Sequence, residues 1–280
     1  FGLSRAAGFQ IWGEDPDRRW EYSFGVYDGR LAGLADNSTI VDGVGYVNSR
    51  PFANRSGAVL QNLNLGGSLV VGDNKVPSEV LPLRTSIQNS ENDEATISAS
   101  AVFLEFNPDV LASGDRLIGA LHLANYYGPF SLEAEWNAIE IEVLNETTDE
   151  SVSVGGQGFH VAMASFLTGE SVRGREAVEP LRPFDPRCGC SNLGAVETFA
   201  RYSYLKLGDE VFDRDLADPD EWTDEASMTD IGVNWYLNRY VKFTFDWQHA
   251  AYAQPVSINE DTGAFSKYND LYWLRCQLYF

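Results

Sequence analysis

Two glutamates, Glu133 and Glu135, stand two residues apart in the stretch GPFSLEAEWNA. Alternate residues of an extended strand share a face and lie about 7 Å apart. A pair of carboxylates so placed could serve glycoside hydrolysis, one as acid and the other as base or nucleophile. The rest of the chain offers such chemistry no help. It has no G-x-S-x-G, no H-E-x-x-H and no glycine loop for a phosphate. His122, His160 and His249 are too scattered to build a metal pair. The loop DEVFDRDLADPDEWTDE carries nine acids and one arginine. Its Asp213, Asp215, Asp218 and Asp220 are oxygen donors of the kind calcium takes, without the glycine and closing glutamate of the twelve-residue calcium loop. A solvated acidic loop is the plainer reading. Cys188 and Cys190 sit in RCGC with no second pair, as a loop disulfide or two thiols, and Cys276 lies among apolar residues. No cofactor and no enzymatic activity are called for.

Charge narrows the partners. The 280 residues hold 41 acidic and 20 basic side chains, a net charge of −21. Nucleic acid, which needs a basic footprint, is excluded. No run approaches the roughly 18 apolar residues of a membrane helix.

The elements that position these residues are strands. Period two recurs along the chain, with little at helical period. In RYVKFTFDWQHAAY, Val241, Phe243, Phe245 and Trp247 take one face, and Lys242, Thr244, Asp246 and Gln248 take the other. TDIGVNWYL sets Ile231, Val233, Trp235 and Leu237 against Asp230, Gly232 and Asn234. The LNR between these runs is a tight hairpin. Glu133 and Glu135 face away from Phe130, Leu132 and Trp136. In GAVETFARYSYLKL, Glu197, Arg201 and Ser203 take the polar face, and Phe199 breaks the alternation. The last strand, NDLYWLRCQLYF, puts Tyr272, Leu274, Cys276, Leu278 and Phe280 on one face, with Arg275 and Gln277 opposite. We count eleven to thirteen strands and no domain boundary. Gly57–Val71 and Arg116–Tyr127 are among them, and 73–94, 169–193, 208–226 and 253–269 are long connectors.

Clean alternation fits a water-soluble sandwich, whose apolar face packs a core, or a membrane barrel, whose apolar face meets lipid. Sandwich strands run about five or six residues, whereas tilted membrane strands need roughly nine to eleven, as the runs here do. Aromatics gather near strand ends, where a ring can sit in lipid and its OH or NH in water. The expected fold is all-β, a transmembrane antiparallel up-and-down β-barrel. Phe243, Phe245, Trp247, Leu278 and Phe280 would face lipid. Glu133, Glu135, Glu197, Arg201, Lys242, Asp246 and Arg275 would line a water path, joined by Arg84 of LPLRTSI. A secreted soluble all-β binding module or carbohydrate-active enzyme is the alternative.

Several stretches carry a narrower likeness: WEYSFGVYDG, LNLGGSLVVG, GPFSLEAEW, FLTGES, ETFARYSYLKL, IGVNWYLNRYVKFTFDW and the terminal LRCQLYF. Together they resemble the phosphate-selective porin O and P family, with LTGE, ARYS and GVNWYLN the most specific pieces. The resemblance implies a bacterial outer-membrane porin, a homotrimer in outer-membrane lipid that passes small solutes or ions. It implies about sixteen strands in the complete protein, so residues 1–280 would be one barrel domain lacking its N-terminal strands. The strand residues expected in the lumen are mixed to acidic, which favours cations weakly and gives phosphate no basic ladder.

Overall fold

The computed structural model describes residues 8–28, 41–85, 101–174, 177–187, 192–259 and 264–279. Thirteen strands follow in order: β1 (Gly8–Glu14), β2 (Trp20–Asp28), β3 (Val41–Ser49), β4 (Asn64–Glu79), β5 (Leu83–Arg84), β6 (Val102–Leu104), β7 (Val110–Tyr127), β8 (Phe130–Asn145), β9 (Glu150–Phe166), β10 (Ala195–Leu207), β11 (Glu225–Asn238), β12 (Val241–Asn259) and β13 (Ala264–Leu278). One four-residue helix, α1 (Glu210–Asp213), interrupts them; the period-two reading missed it. Eleven strands form a single antiparallel meander in which each pairs with the next; only β5 and β6 stand apart, as a two-stranded ribbon.

The strands are longer than alternation alone suggests. β4 starts at Asn64, because 57–63 is turn, and runs on to Glu79. β7 begins at Val110 and β12 continues to Asn259. Strand hydrogen bonds persist past the apolar stretch into polar sequence, where side chains no longer announce them. Short turns join β7–β8 and β11–β12 at one end. There the Asn238 side chain accepts from the backbone N–H of Tyr240 (2.8 Å) and Val241 (3.1 Å), closing the LNR hairpin.

Cross-strand register sorts the side chains into two faces. The outer face is apolar and bare. Leu274 is 78% exposed, Leu278 63% and Phe245 51%. A water-facing sandwich would have buried these residues against a second sheet. Phe243 and Trp247 share that face, half-buried; Phe280 lies outside the described residues. Near the end of this band Trp247 donates its indole N–H to Asp270 (2.9 Å), and His249 Nδ1 lies 3.0 Å from the same oxygen. An aromatic at a lipid–water boundary wants such a partner for its polar tip. Asp270→Ala is expected to cost about 0.5–1.5 kcal/mol, the net worth of hydrogen bonds at an exposed site, with Asp270→Asn recovering most of it. The midpoint of urea unfolding in lipid vesicles measures both.

The inner face changes character along its length. At the end bearing the long β4–β7 and β10–β11 connections it is apolar. Val143, Val154, Leu207, Ala226 and Tyr252 bury against Phe103, Leu104 and Phe106 of the first connection and Val211, Leu216 and Ala217 of the second. Phe103 stacks on Tyr252 with centroids 6.4 Å apart. Backbone bonds tie the two connections, Asn107 N–H to Leu216 O (2.8 Å) and Thr223 N–H to Phe103 O (2.9 Å). Lower on the face, Arg116 of β7 meets Asp42 of β3 at 2.6 Å, both side chains buried. Gly72 of β4 makes room for them: a Cβ there would lie 1.9 Å from Asp42 Oδ1.

Candidate functional site

Four rows of inner-face side chains cross β10 to β13, set by the register. The first runs Arg201, Asp230, Gln248, Leu271; the second Phe199, Gly232, Asp246, Trp273; the third Glu197, Asn234, Thr244, Arg275; the fourth Ala195, Tyr236, Lys242, Gln277. The register therefore puts Glu197, Arg201, Lys242, Asp246 and Arg275 on one face. Glu133 and Glu135 continue that face on β8, opposite Ala162 and His160 of β9.

Hydrogen bonds knit the rows. Gln248 donates to Asp230 Oδ1 (2.6 Å) and Asp246 Oδ2 (3.2 Å), and accepts from the Trp273 indole (2.8 Å). Arg201 Nε lies 3.4 Å from Asp230 and donates to Ser203 (3.0 Å). Asn234 donates to Glu197 (2.9 Å) and accepts from Thr244 (2.7 Å); Tyr236 also donates to Glu197 (3.1 Å). Glu133 accepts from Tyr126 (2.7 Å) and Glu135 from Asn137 (2.9 Å). Several of the acids are thus spoken for by protein donors. Glu133 and Glu135 accept from different donors.

Two connections cover this belt from opposite ends. From the short-turn end, Val172, Gly174, Ala177 and Val178 of the β9–β10 connection reach the inner face. Val196 N–H donates to Thr168 Oγ1 (3.0 Å), Thr168 in turn bonds the buried Glu170, and Glu170 accepts Leu181 N–H (3.1 Å). Those two side chains are the T and E of LTGE, so the motif staples this connection down. The GVNWYLN motif does related work: Trp235 donates to Leu193 O (2.6 Å) and holds the connection's far end. A cavity of about 620 Å³ separates the connection, at Val172 and Val178, from the belt. From the other end come Pro82, Arg84 and Thr85, with Thr85 Oγ1 3.4 Å from the Tyr252 hydroxyl. Beneath them lies a second cavity of about 710 Å³, and both cavities reach Phe199, Arg201, Lys242 and Asp246.

Phe199 is the apolar residue that breaks the alternation. The register puts it on the inner face with Glu197 and Arg201, and Gly232, its cross-strand partner, leaves the gap its ring fills. A Cβ at 232 would lie 2.3 Å from the Phe199 ring. Asp230 is a member of the belt that the paired-run reading passed over among its polar neighbours; its 4% exposure separates it from a solvated acid. Among the described residues no three His, Cys, Asp or Glu side chains converge as a metal site, and that holds for Asp213, Asp215, Asp218 and Asp220. Cys188 and Cys190 lie outside the described residues. Cys276 is free and exposed on the outer face.

Comparison with known proteins decides the family. The model of phosphate-selective porin O and P matches residues 5–280. The chain belongs to that family. Membership places this porin O and P chain in the bacterial outer membrane, and its meander is the wall of a transmembrane up-and-down β-barrel. Porin O of Pseudomonas aeruginosa is 29% identical over 147 residues, 52% of this chain and 32% of the relative. The chain thus spans about a third of that relative's length. Among solved structures, OmpT of Vibrio cholerae, expressed in the outer membrane, is 11% identical with a TM-score of 0.47, over 97% of this chain and 64% of the other. An in-vitro folded trimer form of OmpT gives 10% and 0.47, with the same coverage.

Proposed function

We propose that the chain forms the wall of a water-filled outer-membrane pore through which small hydrophilic solutes or ions diffuse without chemistry. One observation carries this reading. An outer face of exposed Leu, Phe and Tyr backs an inner belt of paired charges and amides, narrowed by connections from both ends. A closed wall needs the outer edges of β1 and β13 paired, with each other or with further strands. The family resemblance adds outer-membrane lipid as surroundings and a homotrimer as assembly. The alternative of a soluble binding module or carbohydrate-active enzyme would put the outer face in water, against its composition.

The preference among ions follows from the cavity beneath 82–85. Among the described residues its lining holds four cations, Arg84, Arg201, Lys242 and Arg275, and one acid, Asp246. The weak cation preference drawn from the strands gives way here, for a physical reason. The β4–β7 connection brings Arg84 to the belt, and Glu133, Glu135 and Glu197 do not line this cavity. Basic rings favour anions. In planar bilayers under a KCl gradient, the reversal potential is expected to show chloride preferred. Lys242→Gln with Arg275→Gln is expected to bring the permeability ratio toward one. Cation preference in the parent protein would overturn the anion reading.

A further inference from the structure

The belt cavity holds something that a small inorganic anion has no use for. Phe199 and Trp273 occupy the same cross-strand row, with Gly232 and Asp246 between them. Both aromatics line the cationic cavity. The Phe199 ring overlies Gly232, as the 2.3 Å clash of a Cβ there shows. It therefore leans across β11 toward the middle of the row. The Trp273 indole is held by Gln248 at 2.8 Å. The adjoining row carries Arg275, and the one beyond it Lys242. Alternate residues on a strand stand about 7 Å apart, so Arg275 lies one such spacing along the strand from the aromatic row and the long Lys242 side chain starts two away. Asp246 does not cancel them: Arg201 is paired with Asp230 at 3.4 Å, and Arg84, Lys242 and Arg275 still outnumber the one acid of the lining.

We propose that this cavity selects aromatic carboxylates over inorganic anions. The carboxylate sits at Arg275 and Lys242 and the flat ring lies against Phe199 and Trp273. This rests on the pore reading above and deepens it by naming the solute class. A hydrated phosphate would take up the charge and leave the rings unused. Offset or edge contacts between aromatic rings contribute beyond the area they bury, and Arg and Lys bind carboxylates by charge-assisted hydrogen bonds. The cavity, about 710 Å³, lies within the size range of small-molecule sites.

The test is current block. The full-length protein is reconstituted in planar bilayers in KCl, and benzoate, acetate and inorganic phosphate are titrated in turn. Benzoate and acetate carry the same charge and differ by the ring. Benzoate is expected to block saturably at about one-tenth the concentration acetate needs, the scale of one ring contact. Phe199→Leu keeps an apolar side chain and loses the plate, and is expected to bring benzoate to within about twofold of acetate. Arg275→Gln is expected to weaken both carboxylates together. Equal block by benzoate and acetate, an unchanged ratio in Phe199→Leu, or phosphate as the strongest blocker would each overturn the inference while leaving a KCl-conducting pore intact. Absence of KCl conductance would instead remove the pore, and the inference with it.

Discussion

Asp42→Ala is expected to remove about 3–5 kcal/mol of stability, the scale for stripping one partner from a buried ion pair. Asp42 is 0% exposed and Arg116 4%. Both Asp42 oxygens accept from one guanidinium nitrogen, at 2.7 and 2.6 Å. Removing the carboxylate leaves a guanidinium with no bulk water to turn to, and its Nε and Nη1 already have no hydrogen-bond partner. The cost therefore comes from the charge left behind more than from the bond lost. That distinction can be measured. Asp42→Asn combined with Arg116→Met removes both charges at similar volume, and is expected to stay within about 1.5 kcal/mol of the parent protein. Urea unfolding in lipid vesicles, followed by tryptophan fluorescence, gives both values. A loss below about 1 kcal/mol for Asp42→Ala would show that the pair is hydrated. Gly72→Ala tests the same site from the third strand, since its new methyl collides with Asp42 Oδ1.

The second large effect is expected at Phe103. It is 2% exposed, stacks on Tyr252, and through its carbonyl holds the β10–β11 connection at Thr223. Phe103→Ala should cost about 3–5 kcal/mol, transfer free energy plus the cavity left behind. The site of that loss matters, because residues 101–106 belong to the connection whose other part brings Arg84 to the belt. Loosening its anchor should release the connection before it unfolds the wall. The expected signature is a larger and noisier single-channel conductance at a temperature where the strands remain folded. Unchanged conductance with the full stability loss would show that the ribbon and the belt are mechanically separate.

Much of the wall was legible because a strand has a strict period of two and a one-residue slip moves every side chain to the other face. Phe245 and Leu278 on one side, Asp246 and Arg275 on the other, follow from counting. Phe199 counts onto the face of Glu197 and Arg201, yet an apolar ring in that polar register makes sense only with the space Gly232 leaves on the neighbouring strand. Counting did not find the covered end of the inner face. Val143, Val154 and Leu207 continue the polar register in apolar form, and the segments that bury them have no period. Arg84 could be named as a candidate, yet its neighbours could not, because its position is set by Phe103 and Tyr252. LTGE was recognisable by resemblance; its work became plain only with Thr168 and Glu170 holding the 167–194 connection in place.

The two connections that reach the same rows from opposite ends have an electrical consequence. In a wide, wet tube the membrane voltage falls evenly along the axis. Where the tube pinches briefly, most of the fall occurs across the pinch. Moving one elementary charge through 100 mV exchanges about 2.3 kcal/mol, so an anion lodged among Phe199, Lys242 and Arg275 would feel a large share of that work over a few ångströms. Its residence should lengthen at one polarity and shorten at the other, and the pore should rectify in the presence of such a solute.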